Sequence, residues 1–473
     1  MRIGLVSGDG LPVSGLLTIF RNVVDLGREM GLVDLPVVAD LGYTWRPDKP
    51  AFFPHGAPAG GTPDWMTVES ARRDDGADLT SAGAELTEVR DLVARQETLT
   101  REQHDALKSQ IERLAKPYRE GFASWLRRHQ IDWVFALNMT LSDAVPVTLG
   151  LHQAAEEFFT PDRAGGVLYW DHDLFRSCAI FDEETGRRLY PEKPNRYTPV
   201  PQRNAHTRWA VISGSLAEET SSYPTELLPD IVPNILPKVP DGPLEERHHA
   251  FARHMELDLS RPVLLNPVRV FNVKGVEIAL DLLAGMKSAA ARDGSKVPWL
   301  LVFGSLEEEP PYAKQILAHA RALGIQDDIR FLDGVPVTSH PEGATGWKLD
   351  EIDLLRLARE TAGGVVFTPN VPDVETVGLA PGLAAVAGLP VAVTDYDVFR
   401  HIYGDDFTGV LVDRTPEGMR RAAEEFLAAV GTGRRGSRLP GPTGTLETNF
   451  RTVQRCFPDE PWRALLQRLA KSA

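Results

Sequence analysis

The sequence predicts an α/β protein with two doubly wound, Rossmann-like domains, each built on a parallel sheet. Three observations predict this class. Short apolar runs alternate with helical patterns along most of the chain, as in strand, helix, strand units with right-handed crossovers. A proline-dense stretch, LLPDIVPNILPKVPDGP, interrupts this alternation near Pro237. The two parts are of similar size, so we expect two domains that face each other across a cleft at the carboxyl ends of their strands.

The composition limits the partners that the protein can have. Its 473 residues are 42% hydrophobic and include 66 acidic against 51 basic side chains, a formal charge of -15. This length buries a core without disulfides or metals, and two cysteines, Cys178 and Cys456, exclude a disulfide framework and a cysteine-based zinc site. The acid excess argues against nucleic acid and anionic membranes, which are polyanions. Without a signal peptide or an apolar run of membrane length, we expect a cytoplasmic protein that does not bind membranes.

The first domain is expected over residues 1–236. It opens with the strand RIGLVS, a Gly/Pro loop, the amphipathic helix LLTIFRNVVDLGREMG and the strand PVVADL. Residues 67–130 are more charged and predict one or two long amphipathic helices, which we interpret as an insertion or lid; the simpler alternative is a solvated helix pair without chemistry. The strands DWVFALN, AGGVLYW and RWAVISG then continue the sheet.

The second domain is expected over residues 237–440. Its predicted strands are RPVLLNPVRV, WLLVFGS, DIRFLDG, GGVVFTP, LPVAVTD and GVLVD, with helices between them. The run GTGRRGSRLPGPTG is expected to be a loop or hinge. The last helices, in residues 441–473, could cross back to the first domain.

Two segments of the second domain carry candidate chemistry. In RVFNVKG, Arg269 and Lys274 lie at a strand end and a helix start, where two cations beside a helix N-terminus can hold a diphosphate. In TPNVPDVETVGLAPG, Glu375 precedes a helix, and Gly378 and Leu379 offer backbone amides to phosphate while the carboxylate accepts from sugar hydroxyls. The alternatives are solvated cations and a carboxylate that only caps the helix.

Together these segments resemble the nucleotide-sugar domain of family 4 retaining glycosyltransferases of GT-B fold, including the sucrose-synthase and sucrose-phosphate-synthase type. The similarity covers about residues 263–413 and extends only loosely to the first domain. It implies that Arg269 and Lys274 neutralise the donor diphosphate and that Glu375 binds hydroxyls of the donor sugar. It also implies that the amides of Gly378 and Leu379 approach the phosphate.

The resemblance implies further donor-binding positions. Gly304 and Val335 belong to the nucleotide-binding set of the second domain. In the first domain, His172 in YWDHDLF resembles the histidine that reaches the donor sugar, and Gly15 resembles the second glycine of a phosphate-facing loop. For His172 the alternative is a packed or capping side chain at a strand end.

Three positions depart from the family pattern. Leu383 stands where the family has a second glutamate, which usually binds the ribose. Val377 replaces a phenylalanine, and Ser14 replaces the first loop glycine. The ribose therefore needs another partner, and the donor nucleotide stays open.

Other motifs are weak or absent. The stretch SGDGLPVSG has Val13 where a dinucleotide-binding G-x-G-x-x-G needs glycine, and SGSLA around Ser215 lacks the second glycine of a nucleophile elbow. The histidines, including His248 and His249, have no partner at metal-ligand spacing. We therefore expect no metal site and no cofactor besides the donor substrate, with Arg and Lys supplying the positive charge.

These observations lead to a retaining glycosyltransferase that moves a hexosyl unit from a nucleoside diphosphate sugar to an acceptor. Because residues 1–234 hold 24 basic and 34 acidic side chains, we expect a small soluble hydroxylated acceptor such as a sugar, sugar phosphate, cyclitol or natural-product aglycone. The alternative is a noncatalytic GT-B protein that binds sugar nucleotides, motivated by Leu383. An epimerase or phosphorylase explains the Arg, Lys and Glu set less directly.

Overall fold

The computed structural model describes residues 1–8, 15–45, 62–71, 79–176, 188–372, 375, 377–431 and 443–473. Several positions of the sequence analysis lie outside these residues: Val13, Ser14, Cys178 and most of the GTGRRGSRLPGPTG run. The chain divides into two compact units, one of Met1–Ile235 with Asp459–Ala473 and one of Leu236–Pro458. The first unit is thus built from both ends of the described chain.

Strands and helices alternate through both units, as the apolar periodicity predicts. The strands are β1 (Arg2–Ser7), β2 (Asp34–Asp40), β3 (Met66–Val68), β4 (Trp133–Leu137), β5 (Gly166–Asp171), β6 (Thr207–Val211), β7 (Asp230–Ile231), β8 (Val263–Asn266), β9 (Trp299–Val302), β10 (Ile329–Phe331), β11 (His340–Glu342), β12 (Gly346–Lys348), β13 (Gly364–Phe367), β14 (Val391–Val393) and β15 (Val410–Leu411).

The helices fill most connections between these strands. They are α1 (Gly15–Glu29), α2 (Leu79–Ala94), α3 (Arg101–His129), α4 (Val145–Phe158), α5 (Gly214–Glu219), α6 (Glu246–His254), α7 (Val276–Asp293), α8 (Pro310–Ala322), α9 (Glu351–Glu360), α10 (Ala380–Ala387), α11 (Phe399–Tyr403), α12 (Pro416–Ala429), α13 (Thr443–Cys456) and α14 (Glu460–Lys471). No helix among the described residues is long and apolar enough to cross a membrane.

The first unit has a parallel sheet in the order β3-β2-β1-β4-β5-β6-β7. The strand order reverses between β1 and β4, which are neighbours. Such a reversal is the switch point at which doubly wound sheets hold their ligands, beyond the carboxyl ends of the strands. In this unit, the groups that follow β1, β4 and β5 are therefore the candidates for a site.

The long helix α3 is the crossover between β3 and β4, and not an added lid over the domain. Its charged composition hides an apolar stripe that packs against the sheet. Trp125 is fully buried, and a Cβ on Gly4 of β1 would lie 2.5 Å from its ring. The buried residues of the stripe recur three and four apart: Leu107, Ile111, Leu114, Tyr118, Phe122 and Trp125.

The final helix, α14, completes the core of the first unit. Trp462 is buried, stacks on Phe135 of β4 with ring centroids 6.5 Å apart, and donates from Nε1 to the Pro233 carbonyl at 2.9 Å. Trp133 in turn donates to the Leu469 carbonyl at 3.0 Å. The preceding helix, α13, which the sequence analysis grouped with the final segment, belongs to the second unit.

The second unit has a parallel sheet in the order β10-β9-β8-β13-β14-β15 and a separate antiparallel hairpin of β11 and β12. The order reverses between β8 and β13, which pair directly. The four inner strands β8, β9, β13 and β14 are buried along their length, as expected of a parallel sheet covered on both faces.

A buried ion network joins α6, α9 and the segment before β11. The carboxylate of Asp353 accepts from Ser339 Oγ at 2.6 Å and from a terminal guanidinium nitrogen of Arg247 at 3.1 Å, and it lies 3.2 Å from His248 Nε2. Arg356 contacts both Asp353 and, at 2.8 Å, Glu245. Burial alone would raise the pKa of Asp353, but the hydrogen bonds from His248, Arg247 and Ser339 hold that pKa well below its usual range.

Candidate functional site

The switch point of the second sheet gathers most of the residues singled out in the sequence. Arg269 and Lys274 follow β8, and Glu375 follows β13. Because β8 and β13 pair in parallel at the reversal of strand order, the segments after them leave the sheet at the same edge.

The turn between β8 and α7 is fixed by a glycine. Asn272–Lys274 form a single 3-10 turn, and Gly275 follows with φ 62°. A Cβ on Gly275 would lie 2.0 Å from the carbonyl oxygen of Thr368, so a larger residue would push β13 away. Thr368 Oγ1 also donates to the Gly275 carbonyl at 3.0 Å. This close approach holds Lys274 beside the segment after β13.

Arg269 meets a buried carboxylate. Its Nε donates to Glu308 Oε2 at 3.1 Å, and its guanidinium carbon lies 4.4 Å from the centre of the Phe271 ring. The Arg269 side chain is 37% exposed, whereas that of Glu308 is 0% exposed. The guanidinium is therefore held from inside the protein while part of it faces solvent.

Lys274 and Glu375 form an ion pair. Lys274 Nζ donates to Glu375 Oε1 at 2.7 Å. The side chains are 25% and 12% exposed, so both are reachable from solvent. The structure thus joins the cation that we expect near a diphosphate to the carboxylate that we expect near a sugar.

Two tyrosines hold the turn before α10. Tyr396 Oη donates to the carbonyl of Val377 at 3.2 Å and Tyr403 Oη donates to that of Gly378 at 2.6 Å. Burial raises the pKa of both phenols well above the usual value, which keeps them protonated as donors. Gly378 has φ 69°, and a Cβ there would lie 2.4 Å from Tyr396 Oη. The turn therefore requires glycine.

Leu379 precedes the first residue of α10, whose opening amides have no acceptor within the helix. This N-terminus carries the partial positive charge that favours phosphate. Leu383, in the same helix, is 5% exposed and packs in the core of the second unit. A leucine so buried offers no polar atom to a ribose.

Gly304 and Val335 lie in the loops after β9 and β10. A Cβ on Gly304 would lie 2.4 Å from the Val270 nitrogen, so glycine here allows the chain after β9 to touch the chain after β8. Val335 is half-buried and packs against the core. Between them, Ser305 Oγ donates to Asp333 in a short hydrogen bond.

In the first unit, His172 follows β5 and is 4% exposed. Its backbone nitrogen donates to Asn138 Oδ1 at 2.7 Å, and its ring lies 4.8 Å from that of Trp170. Asn138 ends β4 with φ 51° and also donates to Asp173 Oδ2 at 3.2 Å. The end of β4 thus orders the loop that carries His172.

Asp171, the last residue of β5, is fully buried beside His172. Trp209 Nε1 donates to its Oδ2 at 2.7 Å. Burial raises the pKa of Asp171 to about 7, with a further rise from the charge of Asp173 and a partial offset from the Trp209 and Thr140 hydrogen bonds. Gly15 begins α1 and is exposed, whereas the loop before it lies outside the described residues.

Sequence reasoning missed Glu308, Asn138 and the two tyrosines. Glu308 is the middle of three consecutive glutamates, and nothing in the run indicates which one turns inward. Asn138 gave a weak signal, because asparagine at a strand end is enriched in left-handed backbone. In the described parts of the chain, no group of three His, Cys, Asp or Glu residues could hold a metal.

Part of the chain is similar in sequence to a known family. Residues 251–430 match the sequence profile of the family described as "Glycosyl transferases group 1". No curated protein matches the sequence significantly.

Solved structures resemble the whole chain in fold. Sucrose-phosphate synthase from Thermosynechococcus elongatus is 13% identical with a TM-score of 0.56, covering 100% of this chain and 98% of that one. Anabaena HepE in complex with UDP-glucose is 12% identical with a TM-score of 0.54 and coverage of 100% and 99%. WaaG, a glycosyltransferase involved in lipopolysaccharide biosynthesis, is 14% identical with a TM-score of 0.51 and 98% coverage of both chains. The predicted fold class is therefore confirmed: the chain has the two-domain α/β fold seen in structures of GT-B glycosyltransferases, and residues 251–430 are similar in sequence to the group 1 family.

Proposed function

We propose that the protein is a retaining glycosyltransferase that transfers a hexosyl unit from a nucleoside diphosphate sugar to a small soluble hydroxylated acceptor. One observation carries this proposal. Lys274 and Glu375 meet at 2.7 Å after neighbouring strands at the switch point of the second sheet. A cation for phosphate and a carboxylate for hydroxyls, side by side near a helix N-terminus, suit a sugar linked to a diphosphate.

We assign each candidate site residue at the switch point of the second sheet a role in donor binding. Arg269 and Lys274 bind oxygens of the diphosphate, the first through a planar fork and the second as a point charge. The amides of Gly378 and Leu379, just before α10, add hydrogen bonds to phosphate. Glu375 accepts hydrogen bonds from hydroxyls of the hexose. When the donor binds, these hydrogen bonds replace the ion pair between Glu375 and Lys274.

The transfer step breaks the bond between the anomeric carbon and the diphosphate oxygen and forms one to the acceptor oxygen. The acceptor approaches the face that the diphosphate leaves, and its proton passes to a departing phosphate oxygen. The products are the glycosylated acceptor and the nucleoside diphosphate. Arg269 and Lys274 stabilise the charge that develops on the leaving group, so the chemistry needs no carboxylate nucleophile.

We further propose that these two cations replace a divalent metal ion. Turnover is then expected to be the same in excess EDTA as with added Mg²⁺. A loss of turnover in EDTA that Mg²⁺ restores would contradict this part of the proposal.

The first unit is the candidate for contacts to the acceptor and for one contact to the donor sugar. His172 is held by Asn138 after β5, and the proposal assigns it to the sugar. Leu383 leaves the ribose without the usual carboxylate, so the nucleotide base of the donor stays open. It is tested with sugar nucleotides that carry different bases. UDP-glucose comes first, since HepE was crystallised with it.

The proposal is tested by incubating purified protein with UDP-, ADP- and GDP-hexoses and acceptors of each class and measuring nucleoside diphosphate release. We expect release that depends on the acceptor and that is lost in Glu375→Ala and Arg269→Ala. Product analysis by NMR then establishes whether the anomeric configuration is retained. Binding of a sugar nucleotide without turnover would favour the noncatalytic alternative that Leu383 motivates.

A further inference from the structure

Glu308 is a fully buried carboxylate that contacts the segment after β8 and the segment after β9. Its Oε2 accepts from Arg269 Nε at 3.1 Å and from the Val270 nitrogen at 3.1 Å. Its Oε1 accepts from the Ser305 nitrogen at 3.1 Å. A buried charge is stable only when it is paired and hydrogen-bonded, and here three N–H donors meet that need.

The two neighbouring glutamates behave differently. Glu307 is exposed, and Glu309 accepts from the Asn272 nitrogen at 2.7 Å. Glu308, between them, is the one whose side chain is 0% exposed and accepts from Arg269 Nε at 3.1 Å. Because a Cβ on Gly304 would lie 2.8 Å from the Arg269 Cα, the backbone of Arg269 is also held by close packing.

The Nε contact fixes the plane of the Arg269 guanidinium, and the ring of Phe271 packs against its face at 4.4 Å. The direction of that plane determines which phosphate oxygens a bidentate fork can reach. We propose that Glu308 is a positioning residue that sets the affinity for the donor diphosphate by orienting Arg269. This inference rests on the proposed function, because it takes the diphosphate to be the ligand of Arg269.

The charge of Glu308 and its orienting role predict opposite changes in diphosphate affinity when Glu308 is replaced. Glu308 is an anion near the place proposed for another anion, so its charge alone opposes diphosphate binding. Removing that charge would strengthen binding if Glu308 acted only through its field. Orientation of Arg269 predicts the opposite result.

Glu308→Gln separates these effects while preserving shape. Both carboxylate oxygens accept from N–H groups, but a glutamine has only one acceptor oxygen. Its amide nitrogen must face either Ser305 N–H or the Arg269 side, and two donors then oppose each other. The variant therefore loses the contact that fixes Arg269 or strains the loop after β9.

The experiment measures UDP binding by titration calorimetry in the full-length protein and in Glu308→Gln. We expect the Kd for UDP to rise about tenfold, the low end of what loss of an orienting partner does at charged sites. The matched control is Glu307→Gln, which removes the same charge one residue away on the surface. Its Kd is expected to equal that of the wild type or to be slightly lower.

A second variant covers the case in which Glu308→Gln does not fold. Arg269→Lys keeps the charge of a partly exposed side chain but removes the planar fork, and we expect about the same tenfold weakening of UDP binding. Adding Glu308→Gln to Arg269→Lys is expected to cause no further loss, since there is no guanidinium left to orient. A purely structural role would add its effect in both backgrounds and lower Tm equally in both.

The outcomes are distinguishable. A wild-type protein that binds none of UDP, ADP and GDP overturns the proposed function and this inference with it. If the wild type binds UDP but Glu308→Gln binds it as well or better, or if Arg269→Lys binds it unchanged, the proposed function stands and the inference is wrong.

Discussion

The two sheets reverse their strand order in the same way, yet the side chains beyond the reversal balance their charge differently. In the second unit, Arg269 and Lys274 each meet a glutamate within 3.1 Å. In the first unit, Asp171 is buried and accepts from an indole N–H, and Asn138 orders the loop of His172. A shared topology therefore fixes where a site lies, while the residues after the strand ends decide its chemistry.

The same contrast holds for the two buried aspartates. Asp353 in the second unit lies in a network of arginines and histidine that lowers its pKa. Burial raises the pKa of Asp171 in the first unit to about 7. Four substitutions test whether these differences arise because charges are ion-paired in the second unit, whereas Asp171 in the first unit is buried without a cationic partner among the described residues.

Arg269→Ala is expected to have the largest effect, because it removes a charge to which the proposed function assigns stabilisation of the leaving diphosphate. Loss of one such group lowers turnover about 10²–10³-fold. The measurement is nucleoside diphosphate release under saturating acceptor. Lys296→Ala, which removes an exposed lysine between α7 and β9, serves as control and should leave turnover unchanged. Equal turnover in the two variants would show that Arg269 does not stabilise the leaving group.

Asp353→Asn removes the buried negative charge that Arg247 and Arg356 share and leaves Glu245 as their remaining carboxylate partner. We expect the free energy of unfolding of the second unit to fall by about 3 kcal/mol, the low end for a broken buried pair, because Glu245 still accepts from Arg356. Urea unfolding followed by hydrogen exchange measures it, with Asp327→Asn as an exposed control.

The pH dependence of the Asp353 contribution has a definite sign. Since the folded pKa lies below the unfolded value of about 3.9, the stabilisation is complete above that value and is lost as pH falls through the folded pKa. A wild type that loses as much stability as Asp353→Asn between pH 5 and about 2 would contradict the assignment.

Gly378→Ala tests the turn before α10. Positive φ costs an alanine about 1–2 kcal/mol, and its Cβ would also press on Tyr396 Oη. Gly388→Ala is a matched control, with φ 67° and no atom within 4 Å of the Cβ. We expect both variants to lose stability but only Gly378→Ala to bind UDP more weakly. Equal UDP binding would show that the tyrosine contacts do not set the site.

Asp171→Asn is expected to have the smallest effect, and its sign is opposite to that of Asp353→Asn. A raised carboxyl pKa means that the folded state binds the proton more tightly, so stability falls as pH rises from about 4 through about 7. The asparagine variant cannot ionise and should melt a few degrees higher than the wild type at pH 8, and at the same temperature or lower at pH 5. Thermal unfolding at both pH values measures this, and a lower Tm at pH 8 would contradict the assignment.

The sequence predicted secondary structure well wherever a run of residues has a single environment, such as a strand that is buried on both faces. Apolar runs predicted nearly every strand of the second unit because parallel strands are buried on both faces. Arg269, Lys274 and Glu375 could be proposed as candidate site residues because they follow predicted strands. The charged region 67–130 was harder, since charge on the solvent side of α3 masks the stripe that packs on the sheet.

What the sequence determined by itself was the class of fold, and it also placed the candidate site residues at predicted strand ends, because periodicity and turn residues are local properties. Tertiary structure alone decided that Glu308 turns inward to accept from Arg269, that Lys274 pairs with Glu375, and that Asp171 and Asp353 have opposite pKa shifts. The reason is physical: burial and pairing depend on neighbours about a hundred residues away in sequence for Lys274 and 39 for Arg269, and no local pattern records them.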